Sequence, residues 1–110
     1  MRRGDIVTVA ASGDNGKPRP AVIVGSDAFP LSHASVIVCQ MTPDRQSIET
    51  FRIDIEPSSQ NGLTVVSQIM VDKPVIVRRE RVGRVIGRLG EPDVVRLNAA
   101  LAWVMGLGDL

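Results

Sequence analysis

The sequence predicts a small α+β domain: a strongly bent antiparallel sheet, barrel-like in form, with one helix at its C-terminal end. Three observations carry this. Short runs rich in Val and Ile, such as "DIVTVA" and "SVIVCQM", recur between turn signals. The hydrophobic period lengthens to three or four residues only near the end, at Val94, Leu97, Leu101 and Val104 or Met105. A chain of 110 residues with 44% hydrophobic content suffices for one core and is short for two, so residues 1–110 read as a single domain.

Taken in order, strands are expected at Asp5–Ala10, Ala21–Ser26, Ser35–Met41, Phe51–Glu56, Thr64–Met70, Val75–Val77 and Arg84–Leu89. The first two flank "ASGDNGKPRP", whose Gly, Asp, Asn and Pro content argues for a mobile functional loop rather than a tight hairpin. Two more turn-rich connections follow, "MTPDRQSIET" and "EPSSQNG", the latter carrying the strong Asn61-Gly62 turn signal. The helix is expected over Pro92–Met105. Proline suits its first turn, Asp93 favours the positive N-terminal end, and Gly106 suits a left-handed stop.

Composition narrows the function classes. No apolar run approaches the roughly 20 residues needed to cross a bilayer, and "MRRGDIVTV" lacks the pattern of a cleaved leader, which predicts a cytoplasmic protein with no membrane partner. Cys39 is the only cysteine and His33 the only histidine, so neither an intrachain disulfide nor a Cys/His zinc site can be assembled, and no metal or cofactor is expected. Strand alternation makes Cys39 a small buried hydrophobe rather than a nucleophile. The net charge is only +1, yet Arg78, Arg79, Arg81, Arg84 and Arg88 fall within eleven residues. Such clustering suits either a solvated strand face or a basic stripe that meets phosphates or an acidic partner. With Phe29, Phe51 and Trp103 as the whole aromatic complement, a platform of stacked bases is not available.

In "GKPRPAVIVGS" the flanking prolines restrict the backbone around Arg19 and stiffen the approach to the second strand. A guanidinium so held can grip phosphate through two parallel hydrogen bonds.

The blocks "RGDIVTV", "KPRPAVIV", "VIVCQMTPD" and "VVSQIMVDKPVIVRRERVGRVIGRL", in that order and followed by the terminal helix, resemble the MazF/PemK toxins of type II toxin–antitoxin systems along nearly the whole chain. Ser67, Asp72, Arg81, Val82, Gly87 and Leu89 fall at the family's spacing, while Met70 and Lys73 depart from it. The resemblance implies an SH3-like barrel, a homodimer, and a metal-independent endoribonuclease that cuts single-stranded RNA at short motifs. It also implies a cognate antitoxin partner. On the family's pattern Arg19 and Thr42 carry the chemistry, and Asp72, at an acidic position that some members use near the site, is a further catalytic candidate that reads equally as a structural partner of Lys73 or a nearby arginine. Lys17, Asp44, Arg45 and Ser47 lie in loops flanking the groove and are candidate RNA contacts. His33 is the one side chain whose ordinary pKa suits proton transfer, but its place in the turn "PLSHAS" reads first as that of a surface-loop residue.

Two other readings stay open at this level. Trp103, Gly106 and Gly108 near the C-terminus resemble the tail with which CcdB-type gyrase inhibitors act, although here seven residues follow the tryptophan. A non-catalytic domain of the same fold that only binds a partner is the other.

Overall fold

A computed structural model describes residues 1–10 and 17–108. Six strands and one helix follow in chain order: β1 (Asp5–Ala10), β2 (Pro18–Ile23), β3 (Ser35–Thr42), β4 (Arg52–Ile55), β5 (Ser67–Arg78), β6 (Val82–Arg88) and α1 (Glu91–Val104). The strands form one antiparallel sheet in the order β4-β5-β3-β2-β1-β6.

Period-two alternation divides the apolar side chains between two cores. Ile6, Val22, Cys39, Met41 and Ile69 point to one, where α1 adds Leu97 and Ala100. Val7, Val9, Ala21, Ile23, Val36 and Val38 point to the other. Each of the fully buried Val and Ile side chains contributes about 1.5–3 kcal/mol relative to exposure. Cys39 is among them, and burial pushes its thiol pKa up to about 12, so it packs as a hydrophobe.

The sheet does not close through its edge strands. The β4–β5 connection spans the gap instead: the Arg88 N–H donates to the Gln60 carbonyl at 3.0 Å. Backbone approaches backbone so closely that a Cβ on Gly62 would lie 2.0 Å from the Ile86 oxygen, and one on Gly87 2.3 Å from the Asn61 carbonyl carbon. Gly62 also has φ +71°, the left-handed conformation its turn requires. Asn61 is 5% exposed and bonded at both ends of its amide: its Oδ1 accepts from the Ser58 and Leu63 N–H groups, and its Nδ2 donates to the Glu56 carbonyl. The barrel-like shape is thus completed by a turn, with Asn61-Gly62 at its centre.

Several boundaries differ from the sequence expectation, those of β3, β4, β6 and α1 by one or two residues and others by more. The strands expected at Thr64–Met70 and Val75–Val77 are one, the twelve-residue β5, which begins only at Ser67 and runs through Pro74. Pairing with β4 ends at Met70, so one side of β5 is open beyond it and the proline's missing donor is tolerated there. β2 begins at Pro18 rather than Ala21. Helix α1 is displaced by one residue, starting at Glu91 after Gly90. It ends in a Schellman turn, with Gly106 at φ +70° donating to Trp103 and Leu107 donating to Ala102. Of "ASGDNGKPRP", the expected functional loop, residues 11–16 lie outside the described residues.

Candidate active site

Arg19 owes its position to the prolines on either side. Successive N–H groups of a strand point to opposite sides, so Pro18 and Pro20 lack donors on one and the same side. The ladder with β1 continues past both, pairing Ala10, Val9 and Thr8 with Pro18, Arg19 and Pro20, while the ladder with β3 stops at Ala21–Gln40. Carrying that second register two residues further sets Arg19 across from Thr42, on one face, where the two strands are no longer joined by hydrogen bonds. β5 then pairs Thr42 with Gln68, and β4 pairs Gln68 with Asp54. One lateral row, Val9, Arg19, Thr42, Gln68 and Asp54, therefore crosses five strands.

Thr42 is half-buried at the last position of β3. Its Oγ1 accepts the Asp44 N–H at 3.1 Å, which leaves the hydroxyl proton available for a further acceptor. Thr42 also stands at the divide between two clefts: Met41 lines the first, Asp44 the second, and Pro43 both.

The first cleft, about 510 Å³, carries Lys17, Arg19 and Arg84 beside the hydroxyls of Thr8, Thr64 and Ser67, with no acidic side chain among its described lining residues. Arg84 is brought there by β6, whose Arg84 N–H donates to the Thr8 Oγ1 at 3.1 Å. The second cleft, about 940 Å³, balances Arg45, Arg52 and Arg96 against Asp44, Glu49 and Asp54. Ser47 lines it as well.

The sequence candidates are thus divided: Lys17 and Arg19 line one cleft, Asp44, Arg45 and Ser47 the other. Asp72 lines neither. Its carboxylate is held by Arg52, with Nε 2.8 Å from Oδ1, and that bond keeps its pKa below the usual carboxylate value. Arg52 is 6% exposed, so Asp72 neutralises a buried guanidinium in the wall of the second cleft. His33 stacks on Phe29 with ring centroids 4.6 Å apart, beyond the end of β3 remote from Thr42.

The clustered arginines do not form one stripe. Arg78 pairs with Glu80, Arg79 donates to the His33 carbonyl, Arg81 to the Ala10 carbonyl, and Arg88 pairs with Asp5; only Arg84 lines the cationic cleft. Trp103, the residue behind the gyrase reading, stacks on Phe51 with centroids 5.6 Å apart. Sequence reasoning did not single out Thr8 or Gln68. Only cross-strand register brings them to the site, and their local patterns are those of ordinary strand residues.

The family model of the PemK-like, MazF-like toxins of type II toxin–antitoxin systems matches residues 2–105. A probable endoribonuclease MazF of Mycolicibacterium smegmatis is 44% identical over 108 residues, covering 97% of this chain and 98% of that protein. The fold is similar to that of a mycobacterial endoribonuclease solved with its cognate antitoxin (TM-score 0.83, 24% identity, 100% of this chain and 99% of that one). It is also similar to the Mycobacterium tuberculosis toxin MazF-mt6 (TM-score 0.81, 21% identity, 96% and 99%). A MazE–MazF structure from Deinococcus radiodurans shares it too (TM-score 0.76, 15% identity, 98% of each chain).

Proposed function

The chain belongs to the PemK-like, MazF-like family of type II toxin–antitoxin toxins, and from that premise we propose that it is an endoribonuclease whose chemistry is carried by Arg19 and Thr42. The observation that carries the reading is the cationic cleft that holds Arg19 and reaches Met41 and Pro43, the residues on either side of Thr42. Single-stranded RNA enters with its phosphates on Lys17, Arg19 and Arg84. Its bases reach the second cleft, where Asp44, Arg45 and Ser47 offer donors and acceptors to their edges.

The reaction is an internal displacement. The ribose 2′-oxygen loses its proton and bonds to the adjacent phosphorus, the bond to the 5′-oxygen breaks, and that oxygen takes up a proton. The products are a 2′,3′-cyclic phosphate and a 5′-OH end. Charge grows on the non-bridging oxygens, and the Arg19 guanidinium and the Thr42 hydroxyl proton stabilise it as preorganised donors. Asp72 enters this reading as the anchor of Arg52. A carboxylate with a depressed pKa is a weak proton acceptor at neutral pH, which favours that role over general-base chemistry.

Among the described residues no helix is long and apolar enough to cross a membrane. We assign the protein to the cytoplasm, where its RNA substrate lies, as a homodimer controlled by a cognate antitoxin protein. The apolar groove bounded by Val24, Ile37, Ile76, Leu101 and Met105 is the surface a second copy would cover most favourably, and sedimentation of wild type and Ile76→Asp tests this. For the activity, the purified protein is incubated with long single-stranded RNA in EDTA and product ends are mapped. Discrete cuts with 5′-OH ends support the reading; RNA left intact by the free toxin overturns it.

A further inference from the structure

We propose that Gln68 is a positioning residue that locks the loop after Thr42 and thereby sets which RNA sequences are cut. The proposal rests on the ribonuclease reading above and deepens it. Gln68 lies on β5, one strand in from the edge of the sheet, at 1% exposure, between Thr42 on β3 and Asp54 on β4. A polar side chain is costly there unless its bonds are made, and the adjacent row of Met41, Ile69 and Ile53 shows that apolar residues join these strands without it. The strand pairing therefore does not explain the amide. The loop does.

The Gln68 Oε1 accepts the Gln46 N–H at 3.1 Å, and its Nε2 donates to the Gln46 carbonyl at 2.8 Å. One side chain thus pairs with both backbone groups of a loop residue, as a neighbouring strand would, in a segment that no strand accompanies. The same Nε2 donates to the Asp54 Oδ1 at 2.8 Å. An ionised carboxylate only accepts, so Asp54 fixes which end of the amide faces which partner. The other Asp54 oxygen lies 3.8 Å from the Arg45 guanidinium, which holds the residue next to Gln46 against the same row. Through one amide, the strand paired with Thr42 is registered to the loop bearing Asp44, Arg45 and Ser47. A recognition loop held in one conformation discriminates between sequences, because it cannot readjust to a wrong base.

The test compares wild type, Gln68→Ala and Gln68→Glu on one long RNA, with mapped ends and thermal melts alongside. The readout is the ratio of cleavage at the preferred motif to cleavage at the next-ranked sites. Gln68→Ala is expected to leave 5′-OH ends and a kcat within about threefold of wild type. Its KM for the preferred motif rises, and the ratio falls by about tenfold. Gln68→Glu keeps an acceptor for the Gln46 N–H but sets a second carboxylate beside Asp54, so discrimination is lost near about pH 8 and recovers near about pH 5.5, where the introduced acid holds a proton. That pH-dependent return is a signature that mere loss of packing does not produce, and it carries the proposal if Gln68→Ala fails to fold. An unchanged ratio in folded Gln68→Ala, or a Gln68→Glu profile indifferent to pH, overturns the proposal. Absence of cuts by wild type is a separate result, which overturns the ribonuclease reading itself.

Discussion

The two clefts that meet at Pro43 are built from opposite charge logic. Beside β2, Lys17, Arg19 and Arg84 stand together with no acid among the described lining residues, whereas along the β3–β4 loop Arg45, Arg52 and Arg96 each have acids for neighbours. Cations gathered in one cleft attract a polyanion regardless of its sequence, and their contribution falls as salt rises. Charges that already balance one another add little to that attraction, but they hold donors and acceptors in fixed directions. Under the proposed function the difference becomes a division of labour within one fold, in which one cleft would grip and cut the backbone while the other would choose where.

The largest expected effect lies in the first cleft. Arg19→Ala and Thr42→Ala each remove a donor to the developing charge, a loss of about 2.7–4 kcal/mol of barrier, or a hundredfold or more in rate. Melting temperatures should change little, because Arg19 is exposed and Thr42 sits at a strand end. Full activity in both variants would remove the chemistry from this cleft.

Next comes the wall of the second cleft. Asp72→Ala strands the buried Arg52 guanidinium and is expected to cost about 2–3 kcal/mol in urea unfolding, with little effect on chemistry per folded molecule. The sign with pH follows from the lowered Asp72 pKa: the stabilisation is complete above the unfolded carboxylate value and is lost as pH falls through the lower folded one. The advantage of wild type over Asp72→Asn should therefore begin to shrink only below about pH 4, and a gap that does not narrow as the pH falls further would separate the pair from the stability it is assigned.

The smallest effect is a control remote from both clefts. Gly106→Ala places a side chain at φ +70° in open space and should cost about 1 kcal/mol, roughly 4–8 °C in melting temperature. The pattern of cleavage sites should not move. If it does, the terminal turn is coupled to the loops in a way the two-cleft comparison omits.

Much of the fold was legible because it rests on local patterns. Alternation in "DIVTVA" and "SVIVCQMT" gives β1 and β3, and the spacing of Val94, Leu97, Leu101 and Val104 gives α1 within one residue. The β5 boundary was missed because whether a proline interrupts a strand depends on which neighbour it has, and β4 is too short to reach Pro74. At the site, Arg19 stood out through its prolines, and Thr42 through the family's motif. Gln68 and Arg84 did not, since the first looks like a misplaced polar residue and the second like one arginine among five. Their meaning comes from cross-strand partners distant in sequence, Gln46 and Thr8.

The most direct test of the division of labour is a pair of variants, Arg84→Ala and Arg45→Ala, mapped on the same RNA across a range of salt. Arg84→Ala should weaken cleavage by a similar factor at every site and reduce the salt slope by about one, while Arg45→Ala should reorder the preferred sites with little change in slope. The opposite pattern, with site choice following Arg84 and a uniform loss following Arg45, would contradict the account.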